Sequence, residues 1–255
     1  MTLVQPTPEM SLRIQKDLNE EPDKNDESLQ HIKEWLEKQP HLPQVDDDAR
    51  LLTFLRGCKF SLEKTKRKLD MYYSMRSALP EFFSNRDPKL PEIQQVFKDI
   101  QIPPLPGLTP EGRRVVLMRA NGPDIGSIIE GFKVVLMIGD IRLKEEQVGV
   151  AGDVYILDAT IATPSQFSKF TPLLVKKFLV CVQEAYPVKL KEIHVVNVSP
   201  LVDSIISFVK PFLKEKIRDR IHIHSDGLES LYKYVPKDML PEEYGGNAGP
   251  INNIN

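Results

Sequence analysis

The chain has 255 residues, 41% hydrophobic and 27% charged, which is ordinary globular composition and long enough to bury a sizeable core in one or two domains. Its formal net charge of −2 excludes a general nucleic-acid binder, so any basic surface must be local. The opening MTLVQPTPEM lacks the basic and apolar regions of a signal peptide, and no window of about 18 uncharged apolar residues exists to span a bilayer, so a cytoplasmic protein is expected.

Residues 1–27 are rich in acids, notably Glu20, Glu21, Asp23, Asp26 and Glu27, and are expected to be flexible. Leu29, Ile32, Trp35 and Leu36 then recur at helical spacing and predict a helix ending before Pro40. Asp48 is placed to cap a second helix, ARLLTFLRG, with Leu51, Leu52, Phe54 and Leu55 toward a core and Gly57 at its end. Ser61 caps a third, LEKTKRKLDMYYSMRSAL, running to Pro80. Residues 28–90 therefore read as a small all-helical module.

From about residue 110 the pattern changes. EGRRVVLMRAN, GDVYILDAT and KEIHVVNVS are β-branched runs with strand character, and KIRDRIHIH supplies a fourth. Between them lie a long apolar helix, GSIIEGFKVVLMIGDIRLKEEQ, and a helical stretch, SQFSKFTPLLVKKFLVCVQEAY, broken near Pro172. The helix in SPLVDSIISFVKPFL has an apolar face and is interrupted by Pro211, which removes a backbone donor. Strands alternating with helices predict an α/β domain with a largely parallel sheet.

Catalytic motifs are missing. There is no GxxxxGK[ST], no GxGxxG after a strand and no G-x-S-x-G elbow. His194, His222 and His224 fall in strands, and spacing suggests no further metal ligand, so they read as hydrogen-bonded strand residues. Asp153 and Asp158 are five apart on one strand and face opposite ways, which weakens a catalytic pair. Cys58 and Cys181 have no partner spacing for a disulfide framework or zinc site, which favours a reducing compartment. What stands out is apolar surface. The helix at 128–141 is apolar almost all round and contains Gly139, so it is either a core helix packed on both sides or one that lines a cavity.

AYPVKLKEIHVVNVSPLVDSIISFVKPFLKEKIRDRIHIH (185–224) resembles the hallmark of the CRAL-TRIO lipid-binding family. An aromatic-Pro pair precedes a basic turn, an I-H-x-x-N strand, an apolar helix, K-P-F-L and a basic R-I-H strand. LPEEYGGNAG (240–249) is similar to the family's closing L-P-x-E-Y-G-G, and DDDARLLTFLRGCKFSLEKTKRKL (46–69) to its preceding helical module. The resemblance covers residues 28–249 in order and is closest to the tocopherol-transfer and retinaldehyde-binding branch. One departure is Asp158-Ala159-Thr160, where the family usually has D-x-x-G.

The resemblance implies a mixed, largely parallel sheet with flanking helices enclosing an apolar cavity over 91–249, with 250–255 as a tail. It implies a monomeric, non-enzymatic carrier of one hydrophobic lipid, such as a tocopherol, retinoid or carotenoid, with no other cofactor. The broken helix would be a lid that opens at anionic, phosphoinositide-containing membranes. The implied pocket draws on Phe132, Val135, Leu136, Gly139, Tyr155, Leu157, Phe178, Cys181, Val182 and Ile193, closed by Val202, Ile205, Ile206, Val209 and Phe212. The implied headgroup site is Lys189, Lys191, Lys216 and Arg220, the last two four apart on one helical turn. Two other readings are a phosphoinositide-sensing module that recruits a partner, and an enzyme using Asp158, Tyr155 and a strand histidine.

Overall fold

The computed structural model describes residues 3–122, 125–146, 149–160 and 162–254. Five helices come first: α1 (Pro8–Leu18), α2 (Asn25–Glu37), α3 (Asp48–Gly57), α4 (Leu62–Ala78) and the single turn α5 (Pro80–Phe83). α6 (Pro91–Asp99), β1 (Ile100–Gln101), β2 (Pro104–Leu108), β3 (Arg113–Ala120) and α7 (Ile128–Glu145) follow. Next are β4 (Gly152–Asp158), α8 (Pro164–Phe167), α9 (Pro172–Val180) and β5 (Leu190–Val196). α10 (Val202–Val209), α11 (Glu215–Arg218), β6 (Ile221–Ile223) and α12 (Ile251–Ile254) complete the chain.

The acidic N-terminal segment differs from expectation, because it holds α1. Thr7 accepts a hydrogen bond from Met10 N, Pro8 opens the helix, and Asn19 ends it in the left-handed region at φ 56°. Ile14 and Leu18, four apart on one face, are buried and pack with Ala151. Local acidity suggested disorder, and a two-residue apolar stripe was enough to override it.

In the helical module Asp47, one residue before the expected cap, accepts from Arg50 N at 3.0 Å to start α3. Gly57 serves close approach rather than a left-handed cap: a Cβ there would stand 2.1 Å from the Pro187 carbonyl oxygen. Leu29, Ile32, Leu36, Leu51, Phe54, Leu55, Leu69 and Tyr72 form a core that continues into Leu136, Leu143, Cys181, Ala185 and Tyr186. The module and the α/β part therefore share one core. Asp140 of α7 clamps it further, accepting from Tyr72 Oη and Arg76 at 2.8 Å and pairing with Arg86 at 2.8 Å.

The six-stranded sheet runs β1-β3-β4-β5-β6, with β2 also on β3. β3, β4, β5 and β6 are parallel, while β1 and β2 pair antiparallel to β3 as one interrupted edge that the sequence reading missed. Strand alternation sorts the two faces. Val115, Leu117, Val154, Ile156 and Val196 pack on the C-terminal segment through Leu231, Val235, Leu240 and Tyr244. Val116, Met118 and Tyr155 look the other way, onto α6 and α7. α10 ends at Val209, and Pro211 sits in a 3-10 turn over Lys210–Phe212. Among the described residues no helix is long and apolar enough to cross a membrane.

Candidate functional site

Two hollows lie along the sheet face that carries Tyr155. One, about 240 Å³, sits at the carboxyl ends of β3 and β4, next to Ala120 and Asp158. Phe167 and Phe170 flank it, Val175 of α9 adds a wall, and Ile205, Phe208 and Val209 of α10 cover it. The other, about 110 Å³, lies at the opposite end of β4, beneath α7, lined by Val135, Leu136, Ile138, Gly139, Tyr155 and Val182, with Arg56, Asp153 and Lys189 at its polar end. Between the two hollows, Met118, Leu157 and Ile193 are half-buried on the same face, since Met118 pairs with Leu157 and Tyr155 with Ile193.

Helix α10 is loosely held. Of the eight residues of α10 only Val202 is buried. Ile205, Phe208 and Val209 are half-buried toward the hollow, Ile206 is half-buried without lining it, and Asp203, Ser204 and Ser207 are exposed. Phe208 packs edge-on against Phe167, with ring centroids 5.2 Å apart, and lies 6.2 Å from Phe212. A helix with few buried contacts is the kind of element that opens at low cost.

The structure separates the expected pocket residues into groups. Ile205 and Val209 line the lidded hollow, and Val135, Leu136, Gly139, Tyr155 and Val182 line the inner one. Phe132 stacks on Phe178 at 3.9 Å, and the Phe170 ring is 6.0 Å from Phe132, so this pair backs the wall. Leu157 and Ile193 lie between the two hollows on the sheet, while Ile206 of α10 and Phe212 in the turn after it are half-buried and line neither hollow. Val202 and Cys181 line neither hollow. Cys181 is fully buried with Sγ 3.2 Å from Met75 Sδ, inside the shared core. Gly139 makes room for a ring: a Cβ there would meet Tyr186 Cε1 at 3.0 Å. The sequence reading missed Phe167, Phe170 and Phe208 as lining residues. Two of them stand just before the Pro172 break and the third shares the apolar face of α10, so aromatic spacing beside both breaks was the available signal.

The basic residues converge unevenly. Lys191 Nζ is 3.5 Å from Asp17, which also faces Lys59 at 3.7 Å. Lys189 Nζ is buried without a hydrogen-bond partner, and burial, with Lys59 beside it, pushes its ammonium down to about 8. Arg220 donates to the Leu190 carbonyl, which brings it next to Lys191. Lys216 is exposed on α11, which ends at Arg218, so Lys216 and Arg220 do not share a helical turn as expected. Lys59, with φ 55° just past α3, is the basic neighbour of Asp17 that sequence reasoning did not name.

The groups considered for catalysis are occupied structurally. Asp158 binds Thr160, Tyr244 Oη at 2.6 Å and Asn197 at 3.1 Å; burial opposes ionisation, but these hydrogen bonds hold its carboxyl below the usual range. The Thr160 contact replaces the glycine turn. Asp153 accepts from Arg142 at 2.6 and 2.9 Å, and Arg142 and Arg114 both reach Glu146. His194 Nδ1 lies 2.9 Å from His224 Nε2, His194 Nε2 lies 3.1 Å from Glu192, and His224 Nδ1 lies 2.7 Å from Ser230. Among the described residues no cluster of His, Cys, Asp or Glu could hold a metal ion.

A largely parallel sheet floored by apolar side chains, hollow along one face and covered by a sparsely anchored helix, defines an α/β binding domain behind a helical module. The chain belongs to the CRAL/TRIO family of lipid-binding and lipid-transfer proteins, whose domain model matches residues 101–246. The model of the Pinta-like UBA domain matches residues 21–93. The chain is 32% identical over 248 residues to the human "Alpha-tocopherol transfer protein-like", covering 96% of this chain and 72% of that one. It is 29% identical over 247 residues to human "Clavesin-2", covering 96% and 76%. The crystal structure of Sfh5 shares the fold at TM-score 0.56 and 14% identity, covering 99% of this chain and 93% of the other.

Proposed function

We propose that the protein is a carrier that shelters one isoprenoid-like lipid beneath α10 and exchanges it at phosphoinositide-containing membranes. The observation that carries this reading is the 240 Å³ hollow whose cover is α10, an apolar helix with a single buried residue. Ligand pockets commonly measure about 300–1,000 Å³, so the helix must move outward to admit a lipid. A water-insoluble ligand then gains about 25 cal/mol for each Å² of apolar surface it buries. It leaves quickly only when the wall opens against a bilayer that can receive both ligand and helix. Likeness to a tocopherol transfer protein-like relative supports an isoprenoid-like ligand class. Lys189 and Lys191 at the start of β5, Arg220 bonded to the Leu190 carbonyl and Lys216 on α11 are the basic residues that would take the headgroup.

The test is organic extraction of the purified protein followed by mass spectrometry. A single apolar compound at one equivalent per chain is the expected result. A protein that yields none, and takes none up from lipid vesicles, is not a carrier.

A further inference from the structure

Helix α1 carries an acid into the basic cleft. Asp17 Oδ1 stands 3.7 Å from Lys59 Nζ, and Oδ2 stands 3.5 Å from Lys191 Nζ. Burial works against the Asp17 anion, but Lys191, Lys59 and Lys189 together hold its carboxyl below the usual range. Two ammonium groups thus share one carboxylate, and the Lys189 ammonium, whose charge the same carboxylate feels, has no hydrogen-bond partner.

α1 is not a loose arm that happens to lie there. Ile14 and Leu18 flank Asp17 on the buried side, and the Ile14 side chain fills the space over Gly112, where a Cβ would meet it at 2.9 Å. Three residues on, Glu20 accepts from Arg56 at 2.9 and 2.7 Å, with its side chain 1% exposed. An exposed ion pair contributes little when two mobile side chains must be ordered to make it. Here the fold has already ordered the backbone that carries Asp17.

We propose that Asp17 is a specificity-determining residue of the headgroup cleft, a resident counter-ion that excludes singly charged lipid heads and yields to polyphosphorylated ones. A head bearing one negative charge offers the lysines no more than Asp17 already does, and it meets a like charge beside it. Each phosphomonoester brings about −1.5 to −2, so a bisphosphorylated head outweighs the carboxylate and engages Lys189 as well. This inference rests on the phosphoinositide reading above and states which heads the cleft accepts.

The experiment compares full-length native protein, Asp17→Asn and Glu9→Gln, the last an exposed acid in the first turn of the same helix. Binding is measured to phosphatidylcholine vesicles containing either phosphatidylserine or phosphatidylinositol 4,5-bisphosphate at matched total charge. Soluble inositol trisphosphate serves as competitor, to separate recognition of the phosphates from attraction to a charged surface. Asp17→Asn is expected to bind phosphatidylserine vesicles about fivefold more tightly, and bisphosphate vesicles less than twofold more tightly, which is about 1 kcal/mol for the first. Glu9→Gln should match the native protein, and the competitor should displace all three proteins from bisphosphate vesicles and also remove the gain of Asp17→Asn on phosphatidylserine vesicles. The inference is overturned if Asp17→Asn gains equally on both vesicles, gains on neither, or is matched by Glu9→Gln. If the native protein prefers neither charged vesicle to neutral ones, the phosphoinositide reading itself has failed.

Discussion

Gly139 of α7 lies against the ring of Tyr186, and a Cβ built on it would stand 3.0 Å from Cε1 and 3.3 Å from Cδ1. Tyr186 is buried, donates to the Leu136 carbonyl at 3.2 Å and meets the Tyr72 ring edge-on at 5.5 Å. The small residue therefore lets the loop after α9 seat a tyrosine between the helical module and the α/β domain. Gly139→Leu should lower stability by about 1–3 kcal/mol by overpacking this joint. Urea unfolding measures it; an unchanged midpoint would show that the ring moves aside freely.

Arg142 and Asp153 are buried together, with Glu146 and Arg114 completing a group of two cations and two anions. Arg142→Met leaves the buried Asp153 carboxylate without its guanidinium. The expected loss is about 3–5 kcal/mol, because an uncompensated buried charge costs more than the intact pair contributes. The same unfolding experiment reads it, and Arg142→Met/Asp153→Leu should recover part of the loss.

Acidification should weaken the fold through the histidine chain. Burial pushes His194 down to about 4 against the pull of Glu192, with His224 and His222 acting in the same direction as burial. In the unfolded chain a histidine titrates near 6.5, so the native state binds fewer protons between about pH 6.5 and 4. The contribution of the neutral ring is complete above about pH 6.5 and is lost as pH falls toward 4, at about 1.4 kcal/mol per pH unit. Urea midpoints should fall from pH 7.5 to pH 5, while the His194 ring resonances stay those of a neutral imidazole. A ring that titrates near 6.5 in the folded protein would contradict this.

Cys181 is fully buried beside Met75, and burial pushes its thiol up to about 11. It lines neither hollow, so removing a lipid should not expose it. A thiol reagent is expected to label it slowly in both lipid-loaded and stripped protein, at a rate that follows unfolding. Fast labelling confined to the stripped form would place it on the lipid path.

The headgroup step should be separable from lipid retention. Lys216→Ala/Arg220→Ala is expected to keep its lipid in solution but transfer it several-fold more slowly to phosphoinositide vesicles, since each basic residue near such a surface contributes about 1 kcal/mol. Transfer to neutral vesicles should change little, and salt should narrow the difference. Transfer by the double variant to phosphoinositide vesicles at the native rate would leave these two residues as a solvated face.

The helices of the module, the four parallel strands and the helix α10 were legible in the sequence because each follows a local rule. Hydrophobic spacing of 3.6 or 2 marks an element, and Pro211 marks where α10 must stop, since a missing N–H acts on its own turn. Which side chains share a hollow was not legible in the same way. Cys181 and Phe178 sit on one helical stretch with Val182, yet only Val182 reaches the inner hollow, because the module packs on the other side of that stretch. Asp17 and Lys191 lie 174 residues apart, and no local pattern pairs them. Periodicity records which face of an element is apolar; whether that face meets core, cavity or an acid from a distant helix is decided when the elements pack, because burial and charge pairing depend on neighbours in space.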